Sequence, residues 1–395
     1  LRRGFVIGLP VKEIRLLDSL ASGLASGHPW VYRDHVSQVT ERTGTWVRVR
    51  AGSFSAVGLW DAESPIAVRL FSTVDAPDAA WIRERVREAW ELRAPVRAAG
   101  VTGYRLLFGE ADSLPGVVVD LYDSVAVLVT YSKALGSLID PIAQAVLEIA
   151  EVKSVVRRTK EDDVVKLTPV RGELPPRSVV IHEGRMKLLA ELYSGQKTGL
   201  FFDHRDNRRF VGERAHGARV LNLFSYTGGF SVAAALGGAV SVTSVDVAAP
   251  AILACAQNFA LNDLADFPHT GLSEDVFAYL ERVEKKREVF DVVVCDPPSF
   301  AKSRDQLRQA ERAYTKLLGA ALRVTAPGGL FCAASCTSQV GPPLFRHLIA
   351  EAARKARVRY QIVRDIGQPD DHPVLVAHEE GRYLKFVAGR VLQRC

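Results

Sequence analysis

Two side chains are placed to do chemistry on a bound molecule. Cys336 ends the run Gly328-Gly329-Leu330-Phe331-Cys332-Ala333-Ala334-Ser335-Cys336 and is followed by Thr337-Ser338-Gln339. Cys332 and Cys336 are four apart, so an unbroken strand puts both on one face, Cys332 deep in the apolar stretch and Cys336 at its end. A cysteine ending a strand among small polar residues is either inert or an exposed nucleophile. Asp296 lies in Asp291-Val292-Val293-Val294-Cys295-Asp296-Pro297-Pro298-Ser299-Phe300, an apolar run that enters a loop stiffened by Pro297 and Pro298. There Asp296 and the loop carbonyls could hold a planar, amine-bearing group with Phe300 stacked on it. A purely structural loop is the alternative.

A second constellation concerns a cofactor. Arg219-Val220-Leu221-Asn222-Leu223-Phe224-Ser225-Tyr226-Thr227-Gly228-Gly229-Phe230-Ser231 is an apolar strand, a polar turn with two glycines, and the start of an Ala-rich helix. Such a turn lets backbone amides approach a ligand, and makes Asn222, Phe224, Tyr226, Thr227 and Gly228 candidates for its lining. Asp246 ends the next strand, eighteen residues beyond Gly228, where a carboxylate can accept bonds from ribose hydroxyls. Nicotinamide, flavin and S-adenosyl-L-methionine binders share this pair, although a full Gly-x-Gly-x-x-Gly pyrophosphate cradle is missing. Asp275, where a third strand would end, is a candidate for the adenine amino group, or a helix N-terminal charge.

The elements that must position these residues follow from periodicity. Strands are expected at 218–224, 240–246, 289–295 and 328–334, with helices at 229–236, 249–261, 273–284 and 305–325 and tail strands near 357–364, 373–378 and 382–387. The alternation predicts a mostly parallel sheet with helices on both faces over 181–395, an α/β domain of Rossmann-like form. Residues 73–180 read as a small α+β module, with helices over 80–90 and 138–150 and strands over 116–121, 124–130 and 153–158. Residues 1–72 read as a small barrel. Within it Thr45-Trp46-Val47-Arg48-Val49-Arg50 alternates, with Trp46, Arg48 and Arg50 on one face and the valines on the other.

At 395 residues, 48% hydrophobic and 24% charged, the chain is an ordinary globular protein of two or three domains. Its longest apolar runs are too short to span a bilayer. Leu1 to Pro10 is basic but too soon interrupted for a secretory signal, and the missing initiator Met suggests a trimmed start. Cys255, Cys295, Cys332, Cys336 and Cys395 form no Cys-x-x-Cys pair and no metal-ligand spacing, which points to a reducing cytoplasm and no metal.

Taken in order, the motifs resemble a family: the class I methyltransferases that make 5-methylcytosine in large-subunit ribosomal RNA. The resemblance covers nearly the whole chain. Gly27-His28-Pro29-Trp30-Val31 is similar to part of a PUA module, and Asp112-Ser113-Leu114-Pro115-Gly116-Val117-Val118-Val119-Asp120 belongs to the central domain. Ser194 to Arg208, the cofactor turn, Asp246, Asp296-Pro297-Pro298-Ser299-Phe300 and Ser335-Cys336 follow. The resemblance implies S-adenosyl-L-methionine as cofactor and 23S ribosomal RNA as partner. It implies that Cys336 adds to carbon 6 of a cytosine so that carbon 5 attacks the methyl, with Asp296 hydrogen-bonding near nitrogen 3. Many members carry Ser-Gly after the cysteine where this chain has Thr337-Ser338-Gln339, a departure that bears on the substrate-side contacts.

A net charge of +6 is compatible with a nucleic-acid partner but does not require one. Lys197, Arg205 and Arg208, just ahead of the cofactor turn, are candidates for the substrate channel with Pro297, Pro298 and Phe300. Arg2, Arg3, Arg15, Arg33, Arg48 and Arg50, with Trp30 and Tyr32, decorate the first domain. Lys153, Arg157, Arg158 and Lys160, followed by Glu161-Asp162-Asp163, either touch phosphates or form a solvated strand edge. The base that removes the carbon 5 proton is not identified, His372 and Lys385 receive no role, and a homodimer is left open. Rival readings are a ribosomal RNA nitrogen methyltransferase with Cys336 a bystander, an idle RNA-binding or assembly factor, and a nicotinamide oxidoreductase.

Overall fold

A computed structural model describes residues 12–37, 39–162, 164–301 and 303–394; Arg2, Arg3, Asp163 and Cys395 lie outside the described residues. The chain forms two compact units. The first contains residues 1–179, 191–200 and 370–381; the second contains 180–190, 201–369 and 382–395.

The first unit holds two five-stranded sheets. One contains β1 (Lys12–Arg15), β2 (Trp30–Tyr32), β3 (Trp46–Ala51), β4 (Phe54–Trp60) and β5 (Ile66–Ser72), in the order β1-β3-β4-β5-β2, with the short helix α1 (Ala21–Ala25). The alternation along β3 is realised: Val47 and Val49 are fully buried, and Arg48 and Arg50 lie on the other face. The other sheet contains β6 (Gly103–Phe108), β7 (Val117–Tyr122), β8 (Val125–Thr130), β9 (Ser154–Glu161) and β10 (Val164–Arg171) in the order β10-β9-β8-β7-β6. Helices α2 (Ala79–Leu92), α3 (Ala94–Ala98) and α4 (Ile139–Ile149) accompany it. Ile82, Val86 and Ala89 of α2 are the stripe expected from the sequence, and they enter the core of this sheet.

Buried charges in this unit are paired, as burial requires. The Arg93 guanidinium, fully buried, makes a two-pronged bond to Asp112 at 2.6 and 2.7 Å and donates to the carbonyl of Asp371 at 3.0 Å. Asp371 also accepts from the Arg105 amide at 3.0 Å. These bonds correct the expected strand at 373–378. Residues 370–381 join the first unit as irregular chain, held by side-chain bonds where a strand would be held by a ladder.

The second unit opens with the hairpin β11 (Ser178–Glu183) and β12 (Met186–Glu191), which begins in the last residues of the first, then α5 (Arg205–Gly212). It continues through β13 (Arg219–Leu223), α6 (Gly229–Leu236), β14 (Ser241–Asp246), α7 (Ala249–Leu261), β15 (His269–Ser273), α8 (Val276–Lys285) and β16 (Phe290–Cys295). After these come α9 (Leu307–Arg323), β17 (Thr325–Ser335), α10 (Pro342–Ala356), β18 (Val358–Ile366) and β19 (Lys385–Arg394). The sheet runs β15-β14-β13-β16-β17-β19-β18; the strands through β17 pair in parallel, and β19 runs antiparallel to both its neighbours.

Strand order reverses between β13 and β16, and in such sheets ligands bind beyond the carboxyl ends of the strands at that point. The cofactor turn leaves β13 there and the Asp296 loop leaves β16. Among the described residues no helix is long and apolar enough to cross a membrane.

Candidate active site

The glycine turn is locked from behind. Gly228 has a φ of +79°, and a Cβ there would lie 2.1 Å from Cys255 Sγ on α7. Only glycine meets both conditions. Phe224 and Tyr226 also adopt positive φ, 57° and 47°, which makes the turn strained as well as tight. The Asp246 carboxylate accepts from the Tyr226 amide at 2.8 Å and the Ala248 amide at 2.9 Å, joining the turn to the tip of β14. A carboxylate has about four lone-pair sites, so capacity remains for a ribose hydroxyl.

Two observations fit a nucleoside carrying a carboxylate tail. No side chain caps the amides that open α6, a ready anion site, and Ser225 Oγ is buried without a partner among the described residues. Asn222 is a correction to the expected lining. Its side chain is buried and donates to Ser231 Oγ at 2.9 Å, from which a chain of bonds runs through Ser244 to His269. It braces the sheet beneath the turn. Asp275 Oδ1 caps α8 through the Ala278 amide at 3.0 Å, the helix-terminal alternative, and the side chain stays exposed.

The chemical centre is assembled from the loops after two adjacent parallel strands. β16 pairs with β17 with Cys295 opposite Ala333, so Asp296 and Cys336 emerge at the same sheet edge. A chain of hydroxyls ties the two loops together. Thr337 donates to Ser299 Oγ at 3.2 Å and shares a 2.7 Å bond with the Tyr314 hydroxyl, which shares another of 2.9 Å with Ser335 Oγ. Thr337 is fully buried. The first residue of the departure from the family's wording, Thr337, is therefore a strut within the protein, whereas Ser338 is exposed and Gln339 partly so. Phe300 packs edge-on to Tyr314 at 4.8 Å against the main core, which gives its ring a structural partner.

Cys332 and Cys336 divide as expected. Cys332 is fully buried and burial pushes its thiol far up; Cys336, just past the strand, is partly exposed.

Three residues of the site had no role in the sequence reading. His204 Nε2 is 3.2 Å from Asp296 Oδ2, and the Asn207 amide donates to His204 Nδ1 at 3.1 Å. Lys385 reaches the loop of Cys336 from β19. Tyr383, two residues before it, donates to Asp203 at 2.6 Å. Sequence separation hides all of these; only the shared stretch Phe202-Asp203-His204, within a quoted motif, could have signalled them.

Two of the three expected channel cations, Arg205 and Arg208, are placed differently. Arg208 is buried, donating to both Glu183 oxygens and to the Phe201 carbonyl; Arg205 is buried as well. Both are internal, and Lys197 lies in the first unit. Arg158 bonds the carbonyls of Leu192 and Gly195, and Arg157 bonds Thr130, so half of the second basic cluster is structural. In the first domain Trp30 donates to Glu110, Tyr32 to Glu380, and Arg15 and Arg50 pair with Glu13.

With this geometry in view, comparisons with known proteins decide the family. Residues 155–383 match the model of S-adenosylmethionine-dependent methyltransferases, and residues 14–73 that of a PUA-like domain. A Shewanella frigidimarina protein named ribosomal RNA large subunit methyltransferase I is 35% identical over 96% of this chain and 99% of its own. The chain belongs to this methyltransferase family. The Aeromonas salmonicida protein of the same name is 36% identical, over 95% of this chain and 98% of its own. A SAM-dependent methyltransferase structure from Streptococcus mutans superposes with a TM-score of 0.85 at 24% identity, covering 96% of this chain and all of that one. A second methyltransferase structure, a complex with SAH, gives 0.86 at 23% identity and the same coverage. The cofactor of the methyltransferase is S-adenosyl-L-methionine, and its fold is the expected α/β methyltransferase domain with an N-terminal PUA-like domain.

Proposed function

We propose that this methyltransferase modifies carbon 5 of a cytosine in the 23S RNA of the large ribosomal subunit, through a covalent adduct on Cys336. The observation that carries the reading is the pairing of an accessible cysteine with Asp296 on neighbouring loops, fixed to one another by the Ser299, Thr337, Tyr314 and Ser335 hydroxyls. Nitrogen chemistry has no use for that cysteine. The names of the relatives supply the RNA class.

The cofactor would lie against the turn at Ser225 to Gly228, the first amides of α6 and Asp246, and it supplies an electrophilic methyl group on a sulfonium. The protein's own residues do the rest. The Cys336 thiolate forms a bond to carbon 6, and the electron pair of the 5,6 double bond becomes available at carbon 5. Asp296, 3.2 Å from His204 Nε2, would in its protonated form donate to nitrogen 3 as charge develops there. Carbon 5 would use that pair to bond the methyl group, the pair of the broken sulfur–methyl bond staying on the cofactor's sulfur; loss of the carbon 5 proton to a base then re-forms the double bond and returns the carbon–sulfur pair to Cys336.

Exposed cations beside this edge suit the RNA backbone. Arg304, Arg308 and Arg312 follow the Asp296 loop at four-residue spacing, all exposed, and none makes an ion pair among the described residues. Helix α2 differs, since its Arg85 and Arg87 pair with Glu88 and Glu84.

The deciding experiment offers the protein ribosomal RNA containing 5-fluorocytosine. A protein–RNA adduct lost in Cys336→Ala is expected. Methylation at normal rates by Cys336→Ala would refute the covalent route, and a product other than 5-methylcytosine would refute the target.

A further inference from the structure

The Cys336 loop has a carboxylate beside it that disfavours a thiolate: Asp296 lies on the loop after the neighbouring strand. Tyr314, from α9, has its phenol pushed up to about 12 by burial and stays neutral. Negative charge raises a thiol's pKa, so a nucleophilic cysteine here requires an opposing cation.

Lys385 occupies that position. It is the first residue of β19, its backbone paired with Ser335, the residue before Cys336. Its ammonium donates to the carbonyl of Thr337, the residue after Cys336, at 2.7 Å and to that of Tyr383 at 2.8 Å. Lys385 thus brackets Cys336, its backbone beside the preceding residue and its ammonium on the following one. Lys385 is 3% exposed, and no carboxylate lies within ion-pair distance of it among the described residues. A buried ammonium without an acid is costly, and an apolar residue of similar length would fill the space more cheaply. Burial pulls its pKa down to about 8, and the charge of Cys336 pulls it back up. Coupling between two titrating groups is reciprocal, so the ammonium favours the thiolate by as much as the thiolate favours the ammonium.

We propose that Lys385 is the positioning cation that makes Cys336 a thiolate: anchored on the carbonyls of Thr337 and Tyr383, its ammonium stabilises the sulfur anion before RNA arrives. The S–H bond breaks with its electron pair left on sulfur, the proton passes to solvent, and Lys385 stays protonated. This rests on the reading of Cys336 as the nucleophile.

The test is the pH dependence of alkylation of the full-length protein by iodoacetamide, without RNA, read on the Cys336 peptide by mass spectrometry. Wild-type protein is expected to alkylate with a midpoint below the ordinary thiol value of about 8.5. Lys385→Met should raise the midpoint by about one unit or more, a roughly tenfold slower reaction at pH 7, and Lys385→Arg should recover most of the shift. A purely structural role would not be rescued in this way. A wild-type midpoint at or above about 8.5, or an unchanged midpoint in Lys385→Met, overturns the proposal. The wild-type curve decides alone should the Met variant not fold. Alkylation reports the thiol whether or not it attacks a base, so failure of the covalent reading would show separately, as methylation retained by Cys336→Ala.

Discussion

His204 Nε2 faces Asp296 Oδ2 at 3.2 Å, although 92 residues separate them in sequence. The contact places an imidazole beside the carboxylate. His204→Ala should slow single-turnover methyl transfer by about 10²-fold, within the range for a positioned acid–base group, while leaving S-adenosylhomocysteine affinity nearly unchanged. A matching loss of cofactor affinity would instead assign His204 to the cofactor pocket.

Gly228 is the most demanding position of the cofactor turn. Gly228→Ala places a Cβ 2.1 Å from Cys255 Sγ and forces a φ of +79° on alanine. Isothermal titration should show cofactor affinity reduced more than about tenfold, since α6 must shift with the turn. Cys255→Gly added to Gly228→Ala should restore only part of it, because the φ penalty of about 1 kcal/mol survives. Unchanged affinity in Gly228→Ala would contradict the geometry.

Acid stability should depend on His269. The ring stacks on Phe259 at 4.0 Å, its Nε2 meets Ser244 Oγ at 2.9 Å, and burial pushes its pKa down to about 4. An unfolded histidine takes its proton near pH ~6.5, so the unfolded state binds more protons between that pH and 4. The contribution of His269 is therefore complete above pH ~6.5 and lost as pH falls toward 4. Urea midpoints of wild-type protein should drop through this window more steeply than those of His269→Phe; parallel curves would refute the assignment.

These cases show what sequence could and could not convey. Helices α6 and α7 fall at the expected residues because glycine turns and apolar periodicity are local signals. The neighbouring placement of Asp296 and Cys336 after β16 and β17 was legible as two motifs, each an apolar strand ending in polar residues. His204 and Lys385 were not, since their meaning arises only when α5 and β19 are brought to the same sheet edge. Arg205 and Arg208 misled for the opposite reason: an arginine looks alike in sequence whether it meets a phosphate or, like Arg208, a buried Glu183. The strand expected at 373–378 failed because Asp371 gives its carboxylate and carbonyl to Arg105 and Arg93.

Arg308 and Arg312 should contribute to RNA affinity through charge alone. Each phosphate contact adds about 0.7–0.9 to the slope of log affinity against log salt, so replacing both by Gln should flatten the slope by about 1–2. Filter binding over a salt series measures it. An unchanged slope would move the RNA track to another face.

The polypeptide passes between its two units five times, at 179/180, 190/191, 200/201, 369/370 and 381/382. Neither unit is therefore one uninterrupted stretch of gene. A fragment ending at residue 180 would lack both the 191–200 segment and the 370–381 segment that carries Asp371, and would leave the buried Arg93 without one of its acceptors. Recombination that exchanges the first unit of such a protein for another must import three separate stretches at once.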